Sequence, residues 1–198
     1  GRKEAGGWQK IFFFFSSASL VVLASPTYFH HAPPVFTEFV TAMPAAAGDQ
    51  AAAILSTFGG VSSGVIQYDL ARLLDRKGYR LLGGLQVLTE HCLTFQEDQP
   101  FHQGHPDQQD LDKIRAFGSD LAGRLEESGL GGYPPKAFKD KSFWMNWIDN
   151  HINRLNNFTW VMPNVKVDTE ACTGCGQCLS WCPTGNITLD SVAVHGNN

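Results

Sequence analysis

Four cysteines crowd one short stretch near the end of the chain: Cys172, Cys175, Cys178 and Cys182, spaced C-x2-C-x2-C-x3-C, with Pro183 directly after. Thiolates bind soft metal centres, and this spacing is that of an iron–sulfur ligand run. Three thiolates on one tight loop can meet three irons of a cube if the backbone curls closely and turns its N–H groups towards the sulfides. Gly174 and Gly176 permit that curl. Structural zinc is the competing chemistry, but its ligands usually come as two pairs separated by a longer loop, so that four donors approach tetrahedrally. Disulfides need an oxidising compartment, and cysteine is otherwise scarce here, Cys92 being the only other one. A lone cysteine among apolar neighbours reads as core, so Cys92 is left out of the ligand set.

The rest of the chain must position this run or give it a partner. At 198 residues it is long enough for one good core and a small second module. A formal net charge of −4 supplies no basic footprint for nucleic acid. The apolar stretch from Ile11 to Ser25, preceded by Arg2, Lys3 and Lys10, is too short for a comfortable membrane span. It reads as a signal peptide or as buried strands, Phe12 to Phe15 and Leu20 to Ala24. Strands are preferred, because cleavage after Ala24 or Ser25 would remove the element that positions the next loop. No nucleophile–base arrangement and no Gly-Lys-Ser/Thr phosphate loop occurs, so hydrolase and NTPase readings have no support.

From Leu20 to Ala24 the run is continuously apolar, as in a parallel strand covered on both faces, and it ends in Ser25-Pro26-Thr27-Tyr28-Phe29. Pro33 and Pro34 open a helix with Val35, Phe36, Phe39, Val40 and Met43 on one face, stopped by Pro44. Ala51 to Thr57 reads as a second buried strand, ending in Phe58-Gly59-Gly60. Ser62 or Ser63 is placed to cap the next helix, whose Ile66, Leu70, Leu73 and Leu74 face inward until Gly78. Tyr79 to Leu88 is a third strand, and Pro106 and Asp107 start a helix with Leu111, Ile114, Phe117, Leu121 and Leu125 on one stripe. Strand, loop and helix repeated in this order predict a doubly wound α/β fold with a mainly parallel sheet. Gly129 to Pro135 reads as a linker, and Trp144, Trp147, Ile148, Ile152 and Leu155 sit at helical spacing as a packing face. His102, His105 and Asp107, and the pair His30 and His31, can be drawn as metal sites, but their spacing converges on no helix or strand face. They are read as solvated loop residues, with His30 near a possible ligand edge.

Residues Val165 to Leu189 resemble a bacterial-type ferredoxin module: short strand, cysteine loop, short helix, then Cys-Pro-Thr-Gly and another strand. That resemblance implies a 4Fe-4S cluster on Cys172, Cys175 and Cys178. Cys182 closes the same cluster, serves a second one, or belongs to another subunit's site, since in two-cluster ferredoxins the fourth cysteine of one run ligates the other cluster. A subunit supplying a missing ligand is therefore among the partners considered. Leu20 to Phe29 and Ser56 to Gly60 resemble the flavodoxin-like fold, which holds FMN with two such loops. Carried over by position, Pro26, Thr27, Tyr28 and Phe29 flank the flavin ring on one side, and Phe58, Gly59 and Gly60 approach it on the other. The family's phosphate loop, which follows its first strand, has no counterpart before Leu20, so a flavodoxin-shaped sheet without flavin stays open as the alternative.

Together these resemblances imply a flavodoxin-like α/β domain at 20–128, a linker and amphipathic helix at 129–164, and a ferredoxin-type α+β module at 165–198, with 1–19 unassigned. The implied role is a cytoplasmic electron carrier, or the electron-transfer part of an oxidoreductase, whose partners are redox proteins. A metal-stapled structural or interaction module is the second reading. The third, that the chain is part of a longer product, follows from its initial Gly, the missing phosphate loop and the missing second cysteine run.

Overall fold

The computed structural model describes residues 18–60, 62–91, 94, 98–127, 131–139, 147–148, 167–182, 187–189 and 193–195. The expected strand Phe12 to Phe15, Cys92, Pro183 and most of the aromatic face beyond Asp140 lie outside them. The chain divides into two compact units, Gly1–Asn157 and Phe158–Asn198.

In the first unit, β1 (Leu20–Pro26), β2 (Ala51–Phe58) and β3 (Arg80–Leu88) form a parallel sheet in the order β1-β2-β3. Helix α1 (Pro34–Ala42) joins β1 to β2, α2 (Ile66–Arg76) joins β2 to β3, and α3 (Gln108–Glu126) follows. Right-handed crossovers between strands added in one direction place both connecting helices on the same face. Accordingly Val40 and Met43, with Ile66, Leu70 and Leu74, pack on Val21, Leu23, Ala52, Ile54 and Leu81. The opposite face carries α3, through Leu121, Phe117 and Leu125 on Ala51, Ala53 and Leu82. Helices on both faces of a parallel sheet make the doubly wound α/β architecture expected from the sequence, and it fits the flavodoxin-like class. Three strands in consecutive order match the last three of the 2-1-3-4-5 sheet.

Local signals explain the boundaries. Pro34 occupies the first turn of α1, where its missing N–H is harmless. Gly78, at φ +82°, ends α2, with its N–H donating to Asp75 O and the Tyr79 N–H to Leu74 O. Asp107 and Asp110 form a reciprocal capping box at the start of α3.

Three expectations need correction. β1 is not covered on both faces: Val21, Leu23 and Ser25 are buried while Val22, Ala24 and Pro26 are exposed, because the cluster under α3 takes in residues of β2 and β3 but, of β1, only Leu20. Neither Ser62 nor Ser63 caps α2, which begins after Val65 with no side-chain cap; Ser62 Oγ instead accepts from the Gly64 N–H at 3.1 Å. The α3 stripe is shallower than its periodicity implies, with Leu121 buried but Leu111 exposed, since the helix reaches the sheet only over its C-terminal half.

The second unit contains a short helix α4 (Gln177–Trp181) and an antiparallel pair, β4 (Ile187–Leu189) with β5 (Ala193–His195). Among the described residues no helix is long and apolar enough to cross a membrane.

Candidate metal centre

The approach to the cysteine loop is set by Asp168, whose Oδ1 accepts from the N–H groups of Glu170 at 3.0 Å and Ala171 at 3.1 Å. This Asx-type turn delivers Cys172 to the loop. Gly174 and Gly176 both take left-handed conformations, with φ +69° and +74°. A side chain at either would be strained, so the two glycines are what allows the chain to curl between Cys172 and Cys178. Gly176 then caps α4, which carries Cys178, and the Cys182 N–H donates to Cys178 O at 3.0 Å, fixing the last cysteine one turn on. None of the four is in a disulfide. The Cys175 thiol is held below its ordinary pKa, first by the backbone N–H of Gln177 and then by the Thr173 hydroxyl, which favour the thiolate form needed of a ligand.

The donor set fits an iron–sulfur cluster. The compact run of thiols lacks the two separated pairs usual for structural zinc. Elsewhere among the described residues, His105, Asp107 and Asp110 bring three donor atoms within 4.8 Å of one another. Beside the loop, Trp181 is 82% exposed, an unusual place for so large an apolar surface.

The second set of candidate residues lies at the carboxyl ends of the strands. Register pairs Pro26 with Thr57, and the Thr27 N–H donates to Thr57 O at 2.8 Å, so the two loops leave the sheet side by side. Tyr28 to His31 form a tight turn closed by Tyr28 N–H to His31 O at 2.8 Å and His31 N–H to Tyr28 O at 3.0 Å. Both central residues, Phe29 and His30, are left-handed at φ +46° and +69°, a conformation costing a non-glycine residue about 1–2 kcal/mol. External bonds hold the turn. His30 O accepts from the Val65 N–H at 2.7 Å, His30 Nδ1 lies 3.3 Å from Ser62 Oγ, and His31 Nδ1 lies 2.8 Å from Asp69 Oδ2. Thr27 Oγ1 is buried with no hydrogen-bond partner, while Tyr28 is 46% exposed beside it. The orphaned hydroxyl and the exposed ring fit a flavin ring at this turn.

Gly59 and Gly60 are filled from the other side. A Cβ at Gly59 would lie 2.5 Å from the His91 ring, and one at Gly60 1.9 Å from His102 Nε2. Both imidazoles come from the loop between β3 and α3 and press on the β2 loop. Of the histidines expected to be solvated, His102 is exposed, whereas His30, His31 and His105 are half-buried and hydrogen-bonded, which corrects that reading for these three. His105 Nδ1 is 2.5 Å from Asp110 Oδ2, and His102 meets His105 edge-on with ring centroids 6.0 Å apart. Sequence spacing missed the contacts of His91 and His102 with Gly59 and Gly60 because they join two loops distant in sequence, although the D-x-x-D of the capping box was legible.

Residues 163–184 are similar to the 4Fe-4S binding domain family. No curated protein sequence matches the chain. Among solved structures, the metal-soaked Flv1 flavodiiron core from Synechocystis sp. PCC6803 is 16% identical, with a TM-score of 0.40, over 64% of this chain and 27% of that one. The chain therefore spans about a quarter of that structure's length.

Proposed function

We propose that this chain is an electron-transfer protein whose redox centre is a 4Fe-4S cluster held by Cys172, Cys175, Cys178 and Cys182. The observation that carries the reading is the four-thiol loop turned by two left-handed glycines within the stretch similar to 4Fe-4S binding domains. When bound, such a cluster exchanges one electron at a time at a potential set by its surroundings. The chain's own part is to present Cys172 and Cys175 from the loop, Cys178 from the first turn of α4 and Cys182 from its end. Backbone N–H groups such as that of Gln177 stabilise negative charge on sulfur.

FMN is the second element of the proposal. Pro26, Thr27, Tyr28 and Phe29 with Phe58, Gly59 and Gly60 would hold its ring, supported by the partnerless Thr27 Oγ1. The partners are redox proteins, and the chain acts as a carrier or as the electron-transfer part of an oxidoreductase.

The test is anaerobic reconstitution with iron, sulfide and FMN, followed by metal analysis, visible absorption and EPR on the desalted chain. A cluster reduced reversibly by dithionite is expected, and it should be lost on Cys172→Ser, Cys175→Ser or Cys178→Ser. Cys182→Ser should also lose it; retention would assign the fourth ligand to another thiol, such as one from a second subunit. A cluster without retained flavin removes the FMN element alone. Zinc in place of a reducible cluster would leave a metal-stapled module and sink the redox reading.

A further inference from the structure

Among the described residues, the outer edge of β3, on the far side of the sheet from β1, is only partly matched by backbone. After α3 the chain comes alongside it, and the Tyr133 N–H donates to Leu81 O at 2.7 Å. Gly132 makes this approach possible, since a Cβ there would lie 2.8 Å from Leu81 N. Pro134 and Pro135 follow, neither with an N–H to give, and the chain turns away into a 3-10 turn, Pro135–Phe138. Beyond Leu81 the edge continues as the floor of a cleft of about 350 Å³, bounded by Phe117 and Arg124 of α3 on one side and Phe138 and Lys139 on the other. That volume is within the range of pockets that hold small ligands, about 300–1,000 Å³.

Two features of the cleft ask for a particular occupant. The Thr89 N–H donates to Phe58 O, towards β2; by strand alternation Gly84 turns its backbone N–H and C=O the other way, into the cleft. Behind Gly84 stands Gln67, only 7% exposed. Its Nε2 donates to Ser56 Oγ at 3.2 Å, and its Oε1 is packed so closely that a Cβ on Gly84 would lie 2.5 Å from it. No hydrogen bond from a described residue reaches that Oε1. Gln67 lines the cleft, and its amide oxygen can accept from an incoming N–H. The walls add charge: Arg124, bonded to Asp120 at 2.7 Å and to the Tyr133 hydroxyl, and Lys139, whose Nζ lies 4.6 Å above the Tyr68 ring. Two cations face one carboxylate.

We propose that this cleft binds an acidic peptide in extended conformation, added as a fourth strand along β3. A peptide offers N–H and C=O groups in alternation, which suits both the Gly84 edge and Gln67 Oε1. Successive side chains point to opposite faces, one towards Phe117 and the next towards Phe138, and a carboxylate meets Lys139. A free amino-acid carboxylate would supply charge without the alternating backbone.

The test is titration of the full 15N-labelled chain, followed by NMR, with acetyl-Val-Thr-Val-Glu-Val-amide, its Glu-to-Lys counterpart and N-acetylglutamate. The acidic peptide should give saturable shifts at the Gly83 and Gly84 amides and the Gln67 side-chain amide. The lysine peptide should bind about tenfold more weakly, and Lys139→Glu, at an exposed position, should reverse that preference. Absence of saturable shifts up to about 5 mM peptide would overturn the proposal, as would equal binding of the two peptides or no change in their ratio on Lys139→Glu. N-acetylglutamate binding as tightly as the peptide would also overturn it, by making the site one for a small carboxylate.

Discussion

Alanine at Gly64 tests whether the loops after β1 and β2, at the carboxyl ends of the strands, are locked to each other. Gly64 has φ +67°, and a Cβ there would lie 2.1 Å from the His30 carbonyl oxygen and 2.3 Å from its Cα. These are backbone atoms, so no rotamer change relieves the overlap. The left-handed conformation alone costs alanine about 1–2 kcal/mol. Relieving the overlap requires the loops to part, which breaks the 2.7 Å bond from the Val65 N–H to His30 O. Val65 is buried, and its unpaired N–H adds about 1–3 kcal/mol. The expected loss is therefore about 2–5 kcal/mol. Gly48 supplies the control, with φ +66° and nothing within 4 Å of a built Cβ, so Gly48→Ala carries only the conformational cost, about 1–2 kcal/mol. Urea denaturation of both variants, followed by far-UV circular dichroism, measures the difference as a shift in midpoint at constant slope. A loss at Gly64 no larger than at Gly48 would refute the reasoning.

Thr27→Val removes a buried hydroxyl with no partner, so the chain without ligands should keep its stability or gain about 1 kcal/mol, while FMN binding, read by flavin fluorescence, weakens. A clear loss of stability would mean that the hydroxyl is satisfied. The Asp110 carboxyl is held well below the usual carboxylate range, first by His105 and then by Lys113. Its folded pKa lies below the unfolded value of about 3.9, so its stabilisation is complete above that pH and is lost as pH falls through the folded value. Asp110→Asn should therefore flatten the acid limb of the stability curve below about pH 4, and an unchanged limb in acid titrations would contradict this. Gly118 and Gly123 lie exposed within α3 with nothing within 4 Å of a built Cβ. Each change to alanine should stabilise by about 0.5–1 kcal/mol and raise the melting temperature by about 1–4 °C, and a lowered temperature would count against it.

The strands and helices of the first unit were legible because each carries its own local signal: the apolar run of Ala51 to Thr57, the prolines before α1, Gly78 after α2. The cysteine loop was legible for the same reason, since its ligands and its two left-handed glycines all lie within one short stretch. What sequence could not give were facts about neighbours. The exposed face of β1 depends on how far α3 reaches across the sheet, which no residue of β1 encodes. The seating of His91 on Gly59 and of His102 on Gly60 joins segments distant in sequence, and their spacing leaves no periodic trace. Ser62 looked like a cap because serine before a helix usually is one, yet the turn at Gly64 claims its hydroxyl first.

The consecutive order of β1, β2 and β3 also bears on how the molecule is made. Register partners on neighbouring strands are about thirty residues apart, so each pairing closes over a single intervening helix. At a synthesis rate of about 5–20 residues per second, each new strand leaves the ribosome within about two to six seconds of the one it must join. Among the described strands of this sheet, none has to wait for a distant one, and none must be inserted between two already paired. These three strands can therefore be laid down outward from β1 in the direction of translation, and the last edge among them is that of β3, where Pro134 and Pro135 have no N–H to offer.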